Sequence, residues 1–290
     1  MKYRPTLVFG VLLLFVPIAM ALAAPFFAGS NSALSPFTHD LNHVNLPPGS
    51  SGHLLGTDNL GRDLLSLAAW GARASLLVGL CSAFTAVLIG SIWGATSAFA
   101  GGIIDALLMR TVDVLLSIPS IILLLVIDAL LADVPFGKIL PAQIVSILGI
   151  TSYSSGFLPL FTVVLVISST TWLEAARLTR SRVQTIMSEE YVSAAKALGL
   201  DNWSIILKHL LPNASNIILV EATLLVSDAI LIEAGLSFLG LGLGPATPSW
   251  GGMLNNAQSN LLSGNWWSVF IPGSLIAMTV LSIQFITQES

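Results

Sequence analysis

The chain has 290 residues, 54 % of them hydrophobic, and only 26 are Asp, Glu, Lys or Arg. That is 9 % against roughly 25 % in soluble domains, too few charges to clothe a water-facing surface, so a soluble globular protein is excluded and an exterior bathed in lipid is expected. The net charge of −4 with scattered basic residues excludes nucleic acid as a partner, and the single cysteine, Cys81, lies in an apolar run where it packs rather than bridges.

Apolar runs of about 18 residues or more cross a hydrocarbon core of ~30 Å. Such runs predict an all-α, polytopic membrane bundle with six transmembrane helices. After a short amino terminus, 1–6, they fall at 7–27, 75–100, 114–131, 157–176, 217–238 and 269–286. The first follows Lys2 and Arg4 and contains Ala21-Leu22-Ala23, which also fits a secretory signal, although the run exceeds the roughly 7–15 residues of a signal core. An extracytoplasmic segment, 28–74, leads to the second span, where Gly90, Gly94 and Ala98 sit at the spacing that lets helices approach closely. Residues 133–156 hold an apolar stretch, 139–150, interrupted by Pro141 and too short to span; they predict an outward-facing insertion with an interfacial or re-entrant helix. With the amino terminus in the cytoplasm, Lys2, Arg4, Arg110, Arg177, Arg180, Arg182, Lys196 and Lys208 fall inside, and Arg62, Arg73 and Lys138 outside. That positive-inside bias puts both termini in the cytoplasm.

The polar stretch 177–216 between the fourth and fifth spans reads as two short helices. Ser188 is placed to cap the first, with Glu189 and Glu190 in its first turn and Gly199 at its end in a left-handed conformation. Asp201 can cap the second, which Pro212 bounds. Trp203, Ile206, Leu207, Leu210 and Leu211 form one apolar stripe on that helix, while Tyr191, Ala194, Ala195 and Leu198 mark the first. The hairpin either lies on lipid headgroups or docks into a groove on a soluble partner, small Ala194 and Ala195 allowing close approach.

Ser193-Ala194-Ala195-Lys196-Ala197-Leu198-Gly199, with Glu190-Tyr191-Val192 before it and His209-Leu210-Leu211-Pro212-Asn213 after it, resembles the EAA loop of ABC-importer permeases in its oligopeptide/dipeptide version. Ser193 stands where the general motif has Glu, and His209 where it has an aliphatic residue. Three further stretches are similar to the C-type permease subunit of that branch. They are Leu55-Gly56-Thr57-Asp58-Asn59-Leu60-Gly61-Arg62-Asp63-Leu64-Leu65-Ser66; then Asp105, Arg110 and Asp113 with Ser117-Ile118-Pro119; and Glu233-Ala234-Gly235-Leu236-Ser237-Phe238-Leu239-Gly240-Leu241-Gly242 with Pro248-Ser249-Trp250-Gly251. The carboxyl-terminal stretch 282–290 lacks the acidic tail that the resemblance leads one to expect.

The resemblance implies a type I ABC-importer permease fold over 75–290 and a place in the prokaryotic cytoplasmic membrane. It also implies peptide import in company with a second, related permease chain, two ATPase subunits and an extracytoplasmic solute-binding protein. By the same resemblance Glu190, Tyr191, Ala194, Ala195, Gly199, Trp203, His209, Leu211 and Pro212 couple to the ATPases. The chain has no GxxxxGK[ST] phosphate loop, so it is not expected to be an enzyme by itself, and no catalytic residue, cofactor or metal ligand is assigned; His39, His43 and His53 lack a recognisable ligand spacing. Asp128, Glu221, Asp228 and Glu233 fall within spans, where an Asp at a helix centre costs roughly 2.5–3.5 kcal/mol to insert. Glu221 and Asp228, seven residues apart, share a helix face and either line the translocation pathway or bond between helices. The same two acids suggest the alternative of an ion-coupled secondary transporter.

Overall fold

The computed structural model describes residues 5–27, 35–50, 52–132, 157–244 and 246–288. The insertion expected at 133–156 and residues 1–4 lie outside the described residues, as does the side chain of Asp128. The helices are α1 (Pro5–Ala23, followed by a 3₁₀ turn, Ala24–Phe27), α2 (Leu64–Ala100), α3 (Gly102–Leu116), α4 (Ser120–Ala132), α5 (Phe157–Ile186), α6 (Glu190–Ala197), α7 (Asn202–Ile205), α8 (Leu211–Phe238), α9 (Trp250–Leu262) and α10 (Trp267–Thr287). A π-helical turn, Ile206–Leu210, joins α7 to α8.

Four of these helices are long and apolar enough to cross a membrane, within Thr6–Phe26, Leu64–Ala100, Pro159–Ile186 and Trp267–Thr287, and α3 with the start of α4 makes a fifth if that pair, bent by 91°, counts as one span. The 28-residue α8 carries Glu221, Asp228 and Glu233 along its length. The helices overrun the runs of hydrophobic sequence. At 1.5 Å per residue the 37 residues of α2 reach about 55 Å, well beyond the hydrocarbon core. Its first turns read as loop because Ser66, Trp70 and Arg73 interrupt them, yet Leu64, Ser66, Leu67, Ala68, Ala69 and Ala72 are all buried. Similarly, α5 continues as a helix to Ile186, and the third apolar run is broken at Ser117-Ile118-Pro119, where proline supplies no amide hydrogen.

The chain divides into two compact units. In the first, formed by residues up to 79, 128–164 and 227 onward, α1 packs on α10: Phe9 and Phe285 meet edge to face at 5.7 Å, and a Cβ on Gly10 would press on Ser282 and Phe285. In the second, formed by residues 80–127 and 165–226, α2 and α5 approach closely. A Cβ at Gly90 would meet Ala175, and one at Gly94 the Ala176 carbonyl, so the glycine spacing is used for backbone contact. Trp93 and Trp172 cross edge to face at 5.2 Å beside it, and Met109 and Val112 of α3 pack on Leu173 and Ala176 of α5.

Candidate functional site

The hairpin after α5 is built by local hydrogen bonding. The Ser188 hydroxyl, expected to cap α6, instead donates to the Thr185 carbonyl at 2.7 Å and closes the end of α5. Gly199, at φ 75°, ends α6 in the left-handed region, with Leu198 N–H donating to the Ala194 carbonyl and Leu200 N–H to that of Ala195. Asp201 then caps α7, accepting from the Trp203 amide at 3.1 Å and the Ser204 amide at 3.0 Å. Hydrogen bonds from Ser204, then from Trp203, hold its carboxyl below the usual carboxylate range.

Packing divides the hairpin residues into two sets. Val192, Ala195, Ile205, Ile206 and Leu210 are buried against Ala95 and Ala98 of α2, Val183 and Ile186 of α5 and Ala214 of α8, with Leu211 at the edge. Glu190, Tyr191, Ala194, Leu198, Leu200, Trp203, Leu207 and Pro212 are exposed, Leu198 at 82 % and Trp203 at 54 %. The apolar stripe read from the sequence is therefore split. Ile206 and Leu210 face in, while Trp203 and Leu207 face out, because a π turn departs from the α-helical spacing on which the stripe was drawn. The alanine pair separates likewise: Ala195 belongs to the floor and only Ala194 to the surface. His209 is half-buried, and its carbonyl accepts from the Asn213 side chain at 2.6 Å.

Beside the hairpin floor, Arg180 of α5 grips Asp105 of α3 with two hydrogen bonds of 2.6 Å, and the buried Ser97 hydroxyl of α2 donates to the same carboxylate at 2.6 Å. Arg177 bonds Asp113 at 2.6 Å, with both side chains about half exposed. The acids of the third motif thus find partners on α5, seventy-five and sixty-four residues away, instead of Arg110 in their own helix. An open groove of about 560 Å³ is lined by Leu116, Glu174, Arg177, Leu178, Ser181 and Glu221. It takes in one of the two intramembrane acids singled out in the sequence; Asp228, exposed on α8, is not among its lining residues.

In the other unit, the remaining motifs tie a polar knot. Asp58 and Arg62 pair by two bonds of 2.8 and 2.7 Å within a turn, and the Asp58 carboxylate also accepts the amides of Leu60 and Arg62. Both are nearly buried. Asp63 caps α2 through the Ser66 amide and holds the His53 ring at 2.9 Å, while His43 bonds Asp40 at 2.7 Å. Glu233, fully buried, accepts from the hydroxyls of Ser75 at 2.9 Å and Ser237 at 2.7 Å. Ser75 also receives the Trp250 amide, and the Trp250 indole donates to the Ala68 carbonyl at 3.1 Å. Trp250 is wholly buried at the start of α9, which Ser249 caps.

Arg180, Ser97 and Ser75 were not singled out in the sequence, since their importance lies in contacts across tens of residues. Glu174 gave only a weak signal, a carboxylate at the end of an apolar run.

Residues 86–288 match the family described as "Binding-protein-dependent transport system inner membrane component". The chain is similar to the dipeptide transport system permease protein DppC of Bacillus subtilis, 35 % identical over 93 % of this chain and 75 % of that one. It is 34 % identical to the oligopeptide transport system permease protein OppC of the same organism, over 96 % and 81 %. The di/tripeptide transport system permease protein DppC of Pseudomonas aeruginosa is also 34 % identical, over 94 % and 82 %.

Proposed function

The chain belongs to the binding-protein-dependent transport system inner membrane components, multi-pass proteins of the prokaryotic cell membrane, and on that premise we propose that it forms half of the translocation pathway of an ATP-driven peptide importer. Family membership displaces the ion-coupled secondary transporter suggested by the intramembrane acids. Six spans, with α3 and α4 as one broken span and both termini in the cytoplasm, put the hairpin of α6 and α7 on the cytoplasmic side. There it docks on ATPase subunits, which carry the ATP chemistry that this chain lacks. The second half of the pathway is a related permease chain, and a solute-binding protein delivers peptide from outside.

The observation that carries this reading is the outward face of the hairpin. Tyr191, Leu198, Trp203 and Leu207 stand exposed above a floor of buried apolar side chains, so the hairpin is held firmly while its apolar surface is left uncovered. A large aromatic residue on a braced helix is what a protein partner uses as an anchor. In the groove, Glu221 and Glu174 offer carboxylates to the amino end of a peptide, with Arg177 and Ser181 beside them. The test is co-purification: a Leu198→Asp, Trp203→Asp double variant should insert in the membrane, melt as the parent does and lose its ATPases. Retention of the ATPases by that variant would remove the docking role.

A further inference from the structure

We infer that Asp105 and Arg180 are positioning residues that make α3 move as one body with the docking hairpin, so that a push received by the hairpin is delivered to the groove. This rests on the docking role given to the hairpin above. Four observations lead to it.

Arg180 lies one turn before Val183 on α5, and Val183 and Ile186 form part of the hairpin floor; Ser97 lies between Ala95 and Ala98, which form another part. The three-residue junction of Asp105, Arg180 and Ser97 is therefore built into the same helix turns that carry the hairpin. Second, the junction is stiff. Two parallel bonds of 2.6 Å between guanidinium and carboxylate fix both distance and angle, and a third from a buried hydroxyl fixes the carboxylate plane.

Third, its setting is semi-dry, with the side chains 12 % and 30 % exposed. Ion pairs taken out of water add little net stability over apolar packing, and Met109, Val112, Leu173 and Ala176 already hold α3 to α5 without them. What the pair adds is a defined register between the two helices. Fourth, α3 reaches the groove at its other end. Leu116, the last residue before the break at Ser117-Ile118-Pro119, lines the groove together with Glu221. Near that end Asp113 bonds the groove residue Arg177, so α3 is tied to α5 at both ends, and the register set by Asp105 and Arg180 is carried along it to the groove.

Coupling between two sites is carried by packed helices and bonded side chains that connect them, and α3 is held both to the hairpin floor and to the groove. The experiment uses the whole transporter in proteoliposomes with its ATPases and binding protein. Peptide uptake, ATP hydrolysis and subunit association are measured for Asp105→Asn, Arg180→Gln, Ser97→Ala and the exchange Asp105→Arg with Arg180→Asp. The expected result is unchanged association and continued ATP hydrolysis, with uptake per ATP falling on the order of tenfold in the two charge variants. Ser97→Ala should show a smaller loss, and the exchange should recover part of the yield; a merely structural defect would instead lower association and ATP hydrolysis along with uptake. An unchanged ratio of uptake to ATP in Asp105→Asn, the near-isosteric variant, overturns the inference even if Arg180→Gln fails to reach the membrane. The docking reading fails separately, by retention of ATPases in the Leu198→Asp, Trp203→Asp variant.

Discussion

The knot around Glu233 and the hairpin of α6 and α7 handle their side chains in opposite ways. In the knot, the most polar residues are turned inward and saturated by neighbours: Asp58 by Arg62 and two amides, Asp63 by His53 and an amide, Glu233 by two serines. In the hairpin, large apolar residues are turned outward over a buried floor. The first arrangement spends its chemistry on shape, since each oxygen of these three carboxylates has a donor within this chain. The second leaves contact area for a different molecule. Both regions carry family motifs, so a motif can mark internal architecture or an external contact, and the direction in which its side chains point decides which.

Four substitutions and one titration sharpen that contrast. Glu233→Ala should have the largest effect, about 3–5 kcal/mol of lost stability from the orphaned serine hydroxyls and the space left behind. It should appear as a fall in melting temperature in detergent, with ATPase binding intact in the fraction that remains folded. Ile205→Ala, in the hairpin floor, should cost about 2–4 kcal/mol by the same assay and weaken ATPase binding indirectly. Trp203→Asp should leave the melting temperature unmoved and weaken ATPase association about thirtyfold, the loss of one anchor of about 2 kcal/mol. A drop in melting temperature with association unchanged would reverse the assignment of the two faces.

Gly199→Ala should cost about 1 kcal/mol, because its φ of 75° is strained for any residue with a Cβ, and should loosen the hairpin measurably by hydrogen exchange at Leu198 and Leu200. The smallest effect concerns pH. Asp201 has a lowered folded-state pKa, so its capping contribution is fully present above the ordinary Asp value, about 3.9, and is lost as pH falls through the lower folded value. Hairpin protection should then be flat from neutral pH to about pH 5 and decline only below about 4. Asp201→Asn, which still caps, should abolish that decline.

Much of the hairpin was legible because its punctuation is local. Gly199 and Asp201 act within five residues of themselves, and their roles follow from backbone geometry alone. Length of apolar run located four helices long enough to cross a membrane but not their ends, since α2 begins with turns that are buried although Ser66, Trp70 and Arg73 interrupt their apolar pattern. The stripe on the second hairpin helix misled because equal spacing was assumed through a π turn. The partners of Asp105 and Glu233 were illegible for a different reason: a carboxylate in an apolar run announces that it needs donors, but not from where. Seventy-five residues separate Asp105 from Arg180, and one hundred and fifty-eight separate Glu233 from Ser75.

The π turn between α7 and α8 has a consequence for evolution by insertion and deletion. Such a turn holds one more residue than an α-helical turn would, and each residue of a helix advances about 100° around the axis. Excising a single residue from Ile206–Leu210 would leave a regular helix, but everything downstream would rotate by about that angle relative to the hairpin. Glu221 would swing out of its groove although no residue in the groove had been altered. The phase of α8 is thus set at the hairpin, like the tooth position on a shaft.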